Sequence, residues 1–306
     1  MRIDTTLREI AIADLLKRFA DDGPSLRGDQ TESWYAYRDA EKAADPAWLP
    51  ILAALLLAAK PPSRSAIYFI IAQLGKNCAP QAAFSILNEW LSREKNKSCI
   101  HSILSALGEL PLPNIEQITP FTRDPRWLVR QEAIYCLRGD TSGEAEEVLL
   151  RVLESSKNQY DMGYALSALS KVGSRKAIPR LAAMSQHPKA NVQVGVVHAI
   201  SKIGDQREVP FFVEALAGRN TKWAAMEAVR AHGDAGAIPA VAARVGSILK
   251  RTRKIEQDPS ELVLGLEFLK RFEKVDSVAK RALDAARKVP RERLFDSEAA
   301  WVRENL

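Results

Sequence analysis

Cysteine is scarce in this chain. Three occur in 306 residues, Cys78, Cys99 and Cys136, at spacings that suit no metal. A sparse, odd set excludes a disulfide framework and reads as reduced intracellular thiols. The four histidines, His101, His187, His198 and His232, form no His-Glu-x-x-His pairing, and none is followed by glutamate. Metal chemistry is therefore not expected. There is no phosphate-cradling glycine loop, no nucleophile elbow, and no recognisable Ser/His/Asp or Cys/His set. Runs of alternating β-branched residues bounded by turns are absent, which excludes a sheet protein. The longest purely apolar run, residues 51–59, is too short to span a bilayer. The N-terminus carries charges throughout and lacks the apolar centre of a signal peptide. The expectation is a soluble cytoplasmic protein that is not an enzyme, has no membrane segment, and uses no metal or cofactor. Lys and Arg total 44 against 38 Asp and Glu, a net charge of +6. That mild excess allows an acidic partner without demanding nucleic acid.

What the chain does have is a repeat. Apolar pairs recur at Ile70-Ile71, Ala106-Leu107, Cys136-Leu137, Ala168-Leu169, Ala199-Ile200 and Ala228-Val229, spaced by 36, 30, 32, 31 and 29 residues. A second apolar pair begins three positions before each, which places both on one face of an α-helix. Four residues after each anchor comes Gly75, Pro111, Thr141, Gly173, Gly204 or Gly233. Most of these stop helices, and glycine suits a left-handed cap. Pro179, Pro210 and Pro239 then open second helices, where a missing N–H costs little. Each unit is helix, turn, helix. It buries its apolar faces only by stacking on neighbours, which predicts an all-α, right-handed α-solenoid over 1–306 as a single domain. Its parts are a cap and divergent repeat at 1–59, regular repeats at 60–245, and a divergent repeat with a cap at 246–306.

The segments "DPRWLVRQEAIYCL" (124–137) and "GDQREVPFFVEAL" (204–216) carry the Asp-Pro opening, the Val-Arg pair and the Val-Pro start of HEAT repeats. The chain resembles that family over about 60–245, in the short form also found in phycobilin-lyase-like proteins. It departs where Gln193 follows Val192 and Lys222 follows Thr221, which weakens an expected inter-repeat polar ladder. The resemblance implies that second helices line a concave surface. It implies fold more firmly than function. HEAT-like hydroxylases that bind iron use repeated His-Glu pairs, and this sequence has none.

On that reading Phe211 and Glu214 point into the groove, joined by Arg180 and Arg244, as contacts for a protein partner. The plainer alternative is that Phe211 packs on the next repeat and the charges are solvated. Lys250, Arg251, Arg253 and Lys254 form the densest basic stretch, and residues 244–306 carry 15 Lys/Arg against 11 Asp/Glu. These four are candidates for an anionic partner, or an ordinary solvated insertion. Trp127, Arg130 and Trp223 lie near first-helix starts and are either surface anchors or seals between repeats. His232 sits in an apolar slot as a structural histidine. The expected function is a non-enzymatic protein-binding scaffold, an adaptor or an inhibitor neutralising one partner. A second reading is a DNA-binding enzyme resembling HEAT-like alkylpurine DNA glycosylases, with Trp127 and Arg130 on DNA, although the family's Trp-Asp-x-x-Asp segment has no counterpart. A third is a tetrapyrrole (phycobilin) lyase or chaperone.

Overall fold

A computed structural model describes residues 2–20, 31–111, 115–140, 142–251, 253 and 255–306. Among them the regular structure is entirely helical. The chain divides into two compact units, Met1–Val172 and Gly173–Leu306.

Unit 1 opens with α1 (Arg2–Phe19), which packs on α2 (Glu32–Ala40) and α4 (Pro61–Asn77). Then α3 (Trp48–Ala58) and α5 (Pro80–Arg93) both pack on α4, and α6 (Lys97–Gly108) is followed by the single turn α7 (Ile115–Ile118). Then come α8 (Trp127–Cys136), α9 (Ala145–Ser155) and α10 (Gln159–Val172). The first helices α4, α6, α8 and α10 pack each on the next, because the anchor pairs of one meet those of its neighbour. Ile67, Ile70, Ile71, Ile103, Leu104, Ala133, Ile134, Ala165 and Leu169 are all buried there. Each isoleucine or leucine among them contributes about 1.5–3 kcal/mol by leaving water.

Unit 2 continues with α11 (Ile178–Ala182), α12 (Ala190–Ile203), α13 (Val209–Ala215), α14 (Lys222–His232), α15 (Ile238–Leu249), α16 (Glu261–Lys270), α17 (Ser277–Arg287) and α18 (Asp296–Asn305). Here α12, α14 and α16 form the first-helix layer. Pro179, Pro210 and Pro239 all sit in the first turn of second helices. Each follows a short 3₁₀ turn opened by Ser174, Asp205 or Asp234, whose side chain accepts a backbone N–H two residues on. In the middle turn Glu208 returns the favour, accepting from the Asp205 N–H at 2.7 Å while it pairs with Arg175 at 2.6 Å.

Two details differ from expectation. The repeat glycines are not left-handed caps: Gly204 has φ −91° and Gly233 φ −64°, and the sole positive-φ glycine among the described residues is Gly143. Glycine is needed there for close approach instead. A Cβ on Gly233 would sit 2.5 Å from the Val229 carbonyl oxygen and 2.7 Å from the Phe268 ring. Thr141, read as a stopper, lies outside the described residues.

Candidate functional site

The side chains that join one repeat to the next decide which charges face outward. In unit 1, Arg64 lies six residues before its anchor pair and donates to Glu94 at 3.1 Å, and Tyr68 donates to the same carboxylate at 3.2 Å. Burial pushes the Glu94 carboxyl up, but the N–H groups of Asn96 and Lys95 and the Arg64 charge outweigh it, leaving it below its ordinary range. Arg130 holds the same repeat position. Its Nε donates to Asp161 Oδ2 at 2.8 Å, and its Nη1 donates to the Asp124 carbonyl at 2.8 Å. The Asp161 side chain is only 6% exposed. Arg130 is thus a rung between repeats and not a surface anchor. The DNA contact drawn from Trp127 and Arg130 loses its arginine.

In unit 2 the equivalent Gln193 keeps the rung without charge. Its Nε2 donates to the His187 carbonyl at 2.8 Å, and its Oε1 accepts from Asn220 at 3.0 Å. The ladder is neutral here rather than lost. His232 is a structural histidine, with Nε2 at 2.8 Å from the Ser201 carbonyl oxygen and its ring stacked on Phe212.

Three small notches recur at one place in the repeat, where a second helix ends and the chain turns into the next first helix. The first, about 160 Å³, lies among Thr119–Arg123, Arg130, Arg151 and Asp161. The second, about 200 Å³, is lined by Gln193, Phe211, Glu214 and Arg219. The third, about 140 Å³, is lined by Arg244, Arg251, Arg253, Glu261 and Phe295. Phe211 and Glu214 therefore share a notch: Phe211 is half-buried, edge-on to Phe212 at 5.7 Å, and Glu214 is exposed. Arg180 is half-buried on α11 and is not among the residues lining that notch. Arg244 makes a bidentate pair with Glu261 at 2.6 and 2.7 Å, so its charge is spent inside unit 2.

The basic stretch splits in the same way. Lys250 and Arg251 are exposed, and Lys254 lies outside the described residues. Arg253 turns inward: Nη2 donates to Glu298 Oε2 at 2.6 Å, and its guanidinium lies 4.8 Å from the centre of the Phe295 ring. Glu298 is fully buried and also accepts from the Ser260 hydroxyl. Burial pushes its carboxyl up, yet Arg253, Ser260 and the Phe295 N–H hold it below its ordinary range. Arg253 thus clamps α18 and does not offer itself to an anion. Trp223 is a seal, its indole N–H donating to the Pro259 carbonyl at 2.9 Å.

Trp127 is 62% exposed. Tyr160, at the start of the neighbouring α10, is 61% exposed, and Tyr164 sits edge-on to Tyr135 at 5.8 Å. The tyrosines are not legible from the repeat, because its apolar anchors mark only buried positions. A scan of the positions between the anchors would have found them. Among the described residues no group of three His, Cys, Asp or Glu is placed to hold a metal ion, and no helix is long and apolar enough to cross a membrane.

Residues 146–233 match the family model for HEAT repeats. That stretch of the chain is a run of HEAT repeats. That match spans α9 to α14, the helices around the second notch, and part of the wall of the first. No curated protein sequence matches this chain. Among solved structures, the complex of CpcE and CpcF of phycocyanin lyase from Nostoc sp. PCC7120 matches with TM-score 0.44 and 20% identity, over 87% of this chain and 95% of that one. Human deoxyhypusine hydroxylase in complex with glycerol matches with TM-score 0.32 and 14% identity, over 93% and 97%.

Proposed function

We propose that this chain is a non-enzymatic scaffold that grips a protein partner, as an adaptor or as an inhibitor neutralising it, in the cytoplasm. The observation that carries the reading is the exposed aromatic pair at the starts of α8 and α10, Trp127 and Tyr160. Exposed tryptophan and tyrosine on a rigid helical layer supply large contact area at small entropic cost, and such residues dominate interface energetics. The notch holding Phe211 and Glu214 offers a second contact of the same kind in unit 2.

The test is affinity capture from the source cell, comparing the wild-type chain with Trp127→Ala, Tyr160→Ala and Phe211→Ala. Each is a surface or half-buried position, so the fold persists. The expected result is one stoichiometric partner whose affinity falls about tenfold or more in the Trp127 variant, with no turnover of that partner. Capture of no specific protein, or equal capture by all variants, contradicts the reading.

A further inference from the structure

A trough of about 400 Å³ opens on the first-helix layer of unit 1, among α2, α4 and α6. Tyr37 and Phe69 form one wall, their rings edge-on at 4.9 Å, and Tyr37 remains 43% exposed. The buried Ala72 and Ala106 line it below. Each charged group of the lining already faces an opposite one. Lys76 donates to Glu109 at 3.3 Å, Arg38 pairs with Glu41 at 2.7 Å, and His101 lies 3.4 Å from the Glu132 carboxylate. The trough therefore holds no uncommitted charge for an ion.

Gln73 supplies a second, independent observation. It is only 8% exposed, and it lines this trough. Among the described residues its side-chain amide makes no hydrogen bond, and neither amide atom is sealed from solvent. The amide thus opens into the trough with two donors and one acceptor unpaired. The half-buried Ser105 hydroxyl beside it is also without a partner among the described residues, whereas the Ser102 hydroxyl is committed to the Ser98 carbonyl at 3.0 Å. Polar groups this deep are normally paired, and a ligand can pair these.

Three demands follow for the ligand. It is neutral, it carries a donor and an acceptor side by side, and it has an apolar group for the aromatic wall. An extended peptide meets all three, with backbone N–H and C=O on the Gln73 amide and one side chain on Tyr37 and Phe69. A sugar meets them less well. It bears a hydroxyl on nearly every carbon, and two free polar side chains would leave most of those unpaired. The volume lies within the range of sites that enclose ligands.

We propose that this trough seats an extended, uncharged peptide segment of a protein partner, with Gln73 as its backbone anchor. Gln73 Nε2 donates to one peptide carbonyl, Oε1 accepts from a peptide N–H, and Ser105 donates to a second carbonyl. An apolar side chain of the segment covers Tyr37 and Phe69. The proposal rests on the scaffold reading for the existence of a partner, but not on Trp127 and Tyr160.

The experiment is selection of a random heptapeptide library on the full chain, followed by anisotropy titration of the enriched sequences as labelled, end-blocked peptides. The enriched peptides are expected to share an apolar residue, to lack charge and to bind once per chain. Gln73→Leu is expected to weaken them about tenfold, and Tyr37→Ala about tenfold, with melting curves retained. Ser105→Ala, a smaller change, is expected to cost about threefold. Trp127→Ala is expected to leave the titrations unchanged. Enrichment of no peptide, a charged consensus, peptides indifferent to Gln73 and Tyr37, or binding of maltopentaose or chitopentaose in place of peptides overturns the proposal. Repeating the affinity capture with Gln73→Leu separates the two readings. Capture weakened by Gln73→Leu supports the peptide seat, whereas capture that falls in Trp127→Ala and is unchanged in Gln73→Leu overturns it and leaves the scaffold reading standing.

Discussion

The joint between α8 and α10 and the joint between α12 and α14 occupy the same place in their repeats, yet one is ionic and the other neutral. In the first, Arg130 bridges to a buried Asp161. In the second, Gln193 bridges to an exposed Asn220. Both rungs also anchor the chain before the helix, to the carbonyls of Asp124 and His187. Stacking of apolar faces therefore sets the repeat, and the polar rung tolerates either chemistry. The difference is in what remains outside. The ionic rung borders a notch lined by Arg123 and Arg151, while the neutral rung borders one where Gln186 and Asn220 join Phe211, Glu214 and Arg219.

The comparison breaks most sharply at Arg130. Arg130→Ala strands Asp161 in the interior without its cation and is expected to cost about 3–5 kcal/mol. Gln193→Ala removes two neutral hydrogen bonds at a half-exposed site and is expected to cost about 1 kcal/mol. Urea unfolding of both variants checks this. Comparable losses would mean that the ionic rung is no more than a substitutable hydrogen bond.

A smaller, pH-dependent effect comes from the clamp at the end of unit 2. The folded Glu298 carboxyl titrates below its ordinary value of 4.5. Its contribution is therefore complete above that value and is lost as pH falls through the lower, folded pKa. Urea midpoints followed from about pH 6 down to about pH 3 are expected to fall more steeply for wild type than for Glu298→Gln. Parallel curves would remove the carboxylate from the clamp. Since burial already opposes the charged form there, the acid-sensitive part is smaller than the cost of breaking the Arg130 rung.

The stacking was legible in the sequence because it depends on local periodicity. Two apolar pairs three residues apart define a helix face, and prolines in the first turn mark the second helices. The arginine side of the ladder was legible from the Val-Arg pair, but its acidic partners and the notches were not, because the apolar anchors do not say which polar residue of the next repeat meets the arginine. Arg130 meets Asp161 at a separation of 31 residues, and Arg253 meets Glu298 at 45. The departures at Gln193 and Lys222 were visible as a missing arginine. That an amide would carry the same rung was not. Arg244 and Arg253 read as surface charge because their acidic partners lie on other helices, beyond the reach of a helix-face argument. The glycines were found for the wrong reason: Gly204 and Gly233 are needed where backbone and neighbouring side chains crowd them, which no φ-based rule detects.

Equivalent rungs differ in kind between the two units, and double-mutant cycles measure that difference most directly. One cycle pairs Arg130→Met with Asp161→Leu, and the other pairs Gln193→Met with Asn220→Leu. A coupling of about 2 kcal/mol or more in the first and below about 0.5 kcal/mol in the second is the predicted result. Equal couplings, or a larger one in the amide pair, would contradict it.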